Sequence, residues 1–345
     1  MGVQRLWRIL PGLPGERATP EQAMTSAVTY GMLSLVMGFM NKILLTKLSF
    51  DFPLLILTLQ TGACIVAIEA LRLFAGLPFA AYTFERGVPM LWVSICYCLH
   101  AFFALTALEG VNLAMYTAVK RCVPIVALAL SVFLLGRPLP SKGTLACILL
   151  ISFGAAVAGV YDVTLDWRAY LFGALAAVFQ AVYQTLLERL YQRRAFGSCS
   201  PMELLYLHSF NSLFLLLLAD IYVDELRQAA TFVYLTFSWS LRALLTATVL
   251  LGVLLNLSLF DCTVTTSALT TSIVGNVKAV AQTLLAYGAG VFILRDTTPN
   301  LFNILGLLLN LAGALGYTYT KAALVVGDQS LPTSSPCIGK NRCAG

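Results

Sequence analysis

Ten apolar runs, each about as long as a bilayer is thick, follow one another along nearly the whole chain and leave room for little else. They cover about residues 24–47, 53–75, 88–109, 113–135, 142–160, 168–188, 203–222, 238–258, 266–294 and 300–323. A hydrocarbon core of about 30 Å takes roughly 20 residues of helix, and no water inside it satisfies exposed backbone groups. Only helices or a closed barrel meet that demand. The runs are continuous and do not alternate, which excludes the barrel. The expected fold class is all-α, a polytopic membrane protein of ten transmembrane helices. Of 345 residues 59% are hydrophobic and 11% charged, with mean hydropathy +0.83, too little charge for a soluble domain of this size.

Around the ten-helix domain (24–323), residues 1–23 read as a cytosolic N-terminal segment and 324–345 as a polar, disordered cytosolic tail. The first segment has no continuous apolar core with a cleavage site, so no signal peptide is expected. The tail has no lysine at the −3 and −4 positions that would signal retrieval to the endoplasmic reticulum (ER). An even number of spans puts both termini on one side. Thirteen basic residues fall on that side (Arg5, Arg8, Arg17, Arg72, Arg86, Arg137, Lys142, Arg189, Arg193, Arg194, Lys321, Lys340, Arg342) and five on the other (Lys47, Arg168, Arg227, Arg242, Arg295). The bias predicts cytosolic termini. The net charge of +6 is spread through short loops, so no nucleic-acid partner is expected. The nine cysteines lie mostly in apolar runs without metal spacing and read as small buried residues.

Lys42, Lys120, Arg121 and Lys278 fall within spans. Lys278 lies about 16 Å into a helix that begins near Ser267, close to the bilayer midplane, where a cation costs about 2.5–3.5 kcal/mol. It should face protein and bind something. Ser267, Thr270, Thr271, Gly275 and Gln282 share its helical face. A shift of 159 positions lays Val132-Phe-Leu-Leu135 on Val291-Phe-Ile-Leu294, Pro140 on Pro299, and Gly154-Ala155 on Gly313-Ala314. Five spans between equivalent points invert the second half relative to the first, so the repeats are about 24–160 and 168–323. The shift also brings Lys120 and Arg121 to within two residues of Lys278. The charges of the two halves correspond.

Other polar constellations admit two readings. Tyr30, Ser34, Gly38 and Asn41 form one face of the first span, either a packing seam or a binding face, and Lys42 either snorkels or binds. Lys120 and Arg121 either pair with an acid such as Glu109 or build an anion site, with Pro124 loosening the backbone nearby. Gln180, Tyr183 and Gln184 share a face of the sixth span, as do His208, Asn211 and Ser212 on the seventh; these either glue helices or read a ligand. Asn211 both donates and accepts, as a base edge requires. Asn256 stands one turn before Phe260 and Asp261, and its sequon is discounted because it lies within a span. No phosphate loop, metal pattern or midplane carboxylate pair is present, which disfavours a proton pump or a membrane hydrolase.

Four stretches together resemble the nucleotide-sugar transporters of the drug/metabolite transporter superfamily (solute carrier family 35), in the branch that carries UDP-glucuronate, UDP-N-acetylgalactosamine and UDP-N-acetylglucosamine. They are Asn41 to Thr46, Asn112 to Arg121, Phe210 to Leu213, and Cys262-Thr263 followed by Ser267 to Gly275 and Lys278. The resemblance implies two inverted five-helix repeats around a central cavity. It also implies exchange of a cytosolic nucleotide sugar for a lumenal nucleoside monophosphate. By position, Tyr30 corresponds to the family's first-helix binding tyrosine, and Asn211 to the first asparagine of its Phe-Tyr-Asn-Asn motif, which contacts the base. Phe210 and Ser212 depart from that motif. Lys278 resembles the lysine of the Gly-Ala-Leu-Asn-Lys motif of GDP-mannose carriers, shifted by one position, and Thr271 stands where those carriers have tyrosine. The departures favour a UDP-sugar.

The substrate-binding residues expected are Tyr30, Asn41, Lys120, Arg121, Asn211, Ser212, Asn256, Thr271, Gly275, Asn276 and Lys278, with no catalytic residue, metal or cofactor. In this reading Lys278 with Lys120 and Arg121 neutralises the diphosphate, while Asn211 with Tyr30 holds the base. The expected partners are a nucleotide sugar such as a UDP-sugar, a nucleoside monophosphate such as UMP, and the lipid bilayer, with a homodimer left open. The expected site is the Golgi membrane, with the ER second. The rivals are a sugar-phosphate exchanger, a GDP-sugar carrier, a non-transporting scaffold, and last a membrane glycosyltransferase.

Overall fold

A computed structural model of the chain describes residues 19–76, 81–110, 119–159, 167–193, 195, 199–236, 238–289 and 301–329. The expectations for the N-terminal segment before Thr19 and for the tail beyond Gln329 lie outside the described residues. So do Tyr116, the repeat match at 291–294, Pro299, and the side chains of Lys42 and Glu109. The described residues form eleven helices and no strand: α1 Pro20–Leu48, α2 Pro53–Ala75, α3 Phe84–Gly110, α4 Val123–Phe133, α5 Lys142–Gly159, α6 Trp167–Gln192, α7 Pro201–Val223, α8 Glu225–Thr236, α9 Trp239–Thr265, α10 Ala268–Ala289 and α11 Leu301–Gln329. Seven of them (α1, α2, α3, α6, α7, α9, α11) are long and apolar enough to cross a membrane, and α4 and α5 are shorter apolar helices. The chain is an all-helical, polytopic membrane protein. α10 spans 22 residues, but its serine, threonine, asparagine and lysine seam keeps it out of that set.

Local chemistry sets the helix limits. α1 opens on a capping box in which Thr19 accepts from the Gln22 amide and Gln22 returns the bond, with Pro20 at the first helical position. Ser200 caps α7 through the Glu203 amide, and Ser238 caps α9 through the Leu241 amide. α2 stops at Gly76, in the left-handed region at φ 65°. α7 stops at Asp224, also left-handed at φ 58°, and the chain turns directly into α8.

α8 lies where the sequence suggested a loop. Its partners are distant in sequence: Ala229 is fully buried in a cluster with Leu44, Phe50, Leu55 and Leu241. The Glu225 carboxylate accepts the Leu55 amide at 2.9 Å, near the start of α2. Burial pushes this carboxyl above its usual range, partly offset by that hydrogen bond. α11 runs to Gln329, so residues 324–329, expected to begin the tail, are helical.

The most extensive helix pairs are α5 with α11 and α3 with α6. α1 packs on α9 and α10, α7 on α2 and α3, α4 on α6 and α10, and α2 on α9. The α5–α11 seam is nearly backbone to backbone. A Cβ on Gly306 would lie 2.4 Å from the Ala158 amide nitrogen, and one on Gly154 would lie 2.6 Å from the Gly306 carbonyl. Asn310 and Asn303 donate across the seam to the Ile151 and Ala158 carbonyls at 3.0 and 3.2 Å. Small residues let helices approach where lipid supplies no hydrophobic drive. Gly306→Leu should therefore destabilise by about 2–3 kcal/mol, the upper part of the range for overpacking. Gly143→Ala in the same seam meets only Thr320, at 3.7 Å, and should be neutral. Thermal unfolding of the purified proteins checks the pair, and equal midpoints would refute the seam.

Candidate functional site

Lys278 sits mid-way along α10 and is half-buried, and no ion pair to it is found among the described residues. The charge it feels is another cation, Lys120, which is half-buried just before the turn leading into α4. Two ammonium groups that feel each other while each is half-buried repel more strongly than they would in water. The α4–α10 contact that brings them together is pinned by two hydrogen bonds. Asn276 donates its amide to the Arg121 carbonyl at 2.9 Å, and the buried Arg121 guanidinium donates to Thr283 Oγ1 at 3.4 Å. Asn276 and Arg121 thus hold the two cation-bearing elements at a fixed spacing.

One turn before Lys278, Gly275 leaves room for Tyr30: its Cβ would meet the Tyr30 hydroxyl at 3.9 Å. Tyr30 is buried against Leu259 and Cys262 and feels Tyr183 of α6. From Tyr183 an aromatic array continues across the bundle. The rings of Tyr97 and Tyr183 meet edge to face at 5.5 Å, as do those of Tyr97 and His208 at 4.8 Å. His208 lies 5.1 Å from Phe260, and His100 lies 5.9 Å from Tyr183. The His100 Nδ1–H donates to the Ala176 carbonyl at 2.8 Å, and His100 also feels Lys120. Aromatic rings from α1, α3, α6, α7 and α9 therefore form one array, which reaches the lysines through Tyr30 beside Gly275 of α10 and through His100, which feels Lys120. Gln180 and Gln184 each keep a buried side-chain oxygen without a hydrogen-bond partner. Such an array suits an anion that carries a flat ring.

Tyr97 and His100 were not anticipated from sequence. Both lie on α3, and the partners that give them meaning come from α4, α6 and α7.

Several expected residues stand elsewhere. Asn41 is exposed. Thr271 is fully enclosed, donating to the Ser267 carbonyl at 3.0 Å and accepting from Thr263 at 3.3 Å, so it ties α10 to α9. Thr270 binds Ser267, Tyr317 and Lys321, which turns the first part of the seam toward α11. Ser212 is fully buried against the His208 ring at 3.2 Å. Asn256 reaches Cys64 Sγ at 3.8 Å across the α2–α9 contact.

Asn211 is buried between α7 and α3 and already has partners. Its oxygen accepts the Tyr82 hydroxyl at 2.7 Å, and its amide donates to the Gly87 carbonyl at 2.9 Å. The Tyr82 ring stacks on Phe210 at 4.7 Å and 17°. Beside it the Glu203 carboxylate pairs with Arg86, and Glu69 accepts from Tyr206. A second set of bonds at the same end centres on Glu188 of α6, whose side chain is 3% exposed. It pairs with Arg137 at 2.5 Å and accepts the Ala268 amide at the start of α10 at 2.9 Å.

Comparison with known proteins agrees with this architecture. UDP-galactose/UDP-glucose transporter 7 of Arabidopsis thaliana is 31% identical over 88% of this chain and 91% of its own length. The nucleotide sugar transporter SLC35D2 of Homo sapiens is 26% identical over 95% of both chains. The UDP-sugar transporter sqv-7 of Caenorhabditis elegans is 25% identical over 90% of this chain and 93% of its own. A protein crystal structure with 18% identity superposes with a TM-score of 0.64 over 89% of this chain and 99% of that one, which supports the fold alone. The profile of the Triose-phosphate Transporter family matches residues 23–318. The chain therefore belongs to the Triose-phosphate Transporter family, among relatives named as nucleotide-sugar transporters, and is a membrane carrier and not an enzyme.

Proposed function

We propose that the chain exchanges a UDP-sugar for a nucleoside monophosphate by alternating access across the Golgi membrane, with both termini in the cytosol. The observation that carries this reading is the Lys278–Lys120 pair, two cations half-buried within electrostatic reach of each other. Such an arrangement costs free energy in the empty protein and gains it back when a multiply charged anion sits between them. A diphosphate supplies that charge, and Tyr30, Tyr97, Tyr183 and His208 supply surfaces for base and sugar. The names of the Arabidopsis thaliana and Caenorhabditis elegans relatives favour UDP-sugars.

The inverted-repeat plan, with ten spans and α8 as an added helix, receives support from helix pairing. Matching α1 to α6, α2 to α7, α3 to α9, α4 to α10 and α5 to α11 turns the α3–α6 contact into α9–α1. It likewise turns α4–α6 into α10–α1, and α3–α7 into α9–α2. The pairs α2–α7, α4–α10 and α5–α11 map onto themselves. Alternating access then amounts to one half rocking on the other. In this reading Asn211 contacts the base only after Tyr82 gives up its place on Phe210.

Proteoliposomes preloaded with UMP or GMP and offered a panel of nucleotide sugars test the proposal. UMP-loaded vesicles should take up one or more UDP-sugars, and free UMP outside should compete. Inhibition by a sugar phosphate but not by UMP would replace this reading with a sugar-phosphate exchanger, which needs the same cations and no base pocket.

A further inference from the structure

Away from the two-lysine centre, a cleft of about 420 Å³ opens between the first turns of α2, the length of α8 and the first turns of α9. We propose that this cleft binds one acyl chain of an anionic glycerophospholipid, with the lipid phosphate held by Arg242.

The walls argue for a chain. Leu55 and Leu59 of α2, Ala229 and Val233 of α8 and Leu245 of α9 line it, and small alanines on α8 leave its floor open. A nucleotide or sugar would find almost no hydrogen-bonding partners there, whereas a methylene chain loses nothing by entering. The rim argues for the membrane interface. Tyr234 and Trp239, beside the cleft, are 79% and 75% exposed, and such amphipathic rings collect at headgroup level. α8 itself, twelve residues long with Ala229 buried, Phe232 and Val233 half-buried and Leu226, Tyr234 and Leu235 exposed, has the form of a helix lying in that plane.

The charge argues for an anionic headgroup. Arg242 is the one charged residue in the lining, and its guanidinium lies 5.8 Å from the Trp239 ring. By the sequence count this face of the membrane carries five basic residues against thirteen, so an arginine in an apolar wall is conspicuous there. A guanidinium at headgroup depth above an apolar slot complements a phosphate joined to an acyl chain.

Native mass spectrometry of the full chain in detergent, with phosphatidylinositol, phosphatidylserine or phosphatidylcholine added at equal concentration, tests the assignment. The two anionic lipids should bind more tightly than phosphatidylcholine. Arg242→Gln should remove most of that preference, about five-fold in affinity, the effect of one basic residue on an anionic surface. Ala230→Trp, which fills the cleft, should remove the bound lipid altogether, while inorganic phosphate alone should not compete. Equal binding of all three lipids, or an unchanged preference in Arg242→Gln, overturns the proposal. Should Ala230→Trp fail to fold, Arg242→Gln still decides it. None of these measurements depends on which solute is carried.

Discussion

Lys278→Ala should cut exchange by more than an order of magnitude and leave the protein as stable as before, or more so. The charge lies in α10 with Lys120 for an electrical neighbour, so its removal relieves a desolvation cost of about 2.5–3.5 kcal/mol together with a repulsion. A structural residue shows the reverse, losing stability when truncated. Transport should fall by about 30-fold to 1,000-fold, the cost of truncating one member of a buried, hydrogen-bonded charge pair in the substrate complex. Lys278→Arg should retain part of the rate, because it keeps the charge while moving its donors. Initial uptake into UMP-loaded proteoliposomes, with thermal unfolding of the same preparations, measures both quantities. Normal uptake in Lys278→Ala would sink the anion site. Lost uptake with a lowered unfolding temperature would reassign the lysine to packing.

The second large effect belongs to Glu188. It joins three elements, accepting Arg137 from the α4–α5 connection and the Ala268 amide of α10 while sitting on α6. Removing it takes away an ion pair and the anion at the start of α10 together. Arg137 is 39% exposed and partly recovers water, so Glu188→Ala should cost about 3 kcal/mol, the low end for breaking a buried pair. Arg137→Ala should cost distinctly less, since it leaves the bond to α10 intact. Equal losses in the two variants would mean that the Ala268 bond contributes nothing.

A functional consequence goes with the stability loss. The Arg137–Glu188 and Arg86–Glu203 pairs both join the N-terminal half to the C-terminal half at one end of the bundle, the cytosolic end in the proposed orientation. We predict that Glu188→Ala loosens this closure. A cysteine introduced at Ser267 should then react faster with a membrane-impermeant thiol reagent applied from that side. An unchanged labelling rate would remove Glu188 from the gate.

The fold was legible where it rests on chain-local chemistry. Apolar length located α1 to α7 and α9 to α11, because a bilayer constrains each span independently of its neighbours. α8 escaped, because its apolar side is completed by Leu44, Phe50 and Leu241 from other parts of the chain. The site was legible in its charges: Lys278, Lys120 and Arg121 stood out because cations within spans are costly wherever they point. Uncharged groups were harder to read. Thr271 and Ser212 share helical faces with other polar residues, yet both are spent inside helix contacts. Helical periodicity gives the face of a residue and not the neighbour that face meets. His100 and Tyr97 were overlooked for the same reason, since the lysine and the rings they meet lie on other helices.

The glycine seam between α5 and α11 bears on how such a carrier can move. With Gly154, Gly306 and Gly313 each within 3 Å of opposing backbone, once a Cβ is imagined, the two helices have no slack in which to slide. They come from opposite halves of the chain, so in the proposed rocking of one half on the other they would act as a hinge pin: the halves would tilt about this line and not part along it. In the proposed alternating access, any stroke that changes which face of the membrane Lys278 opens to must take its amplitude from the helices farthest from that pin.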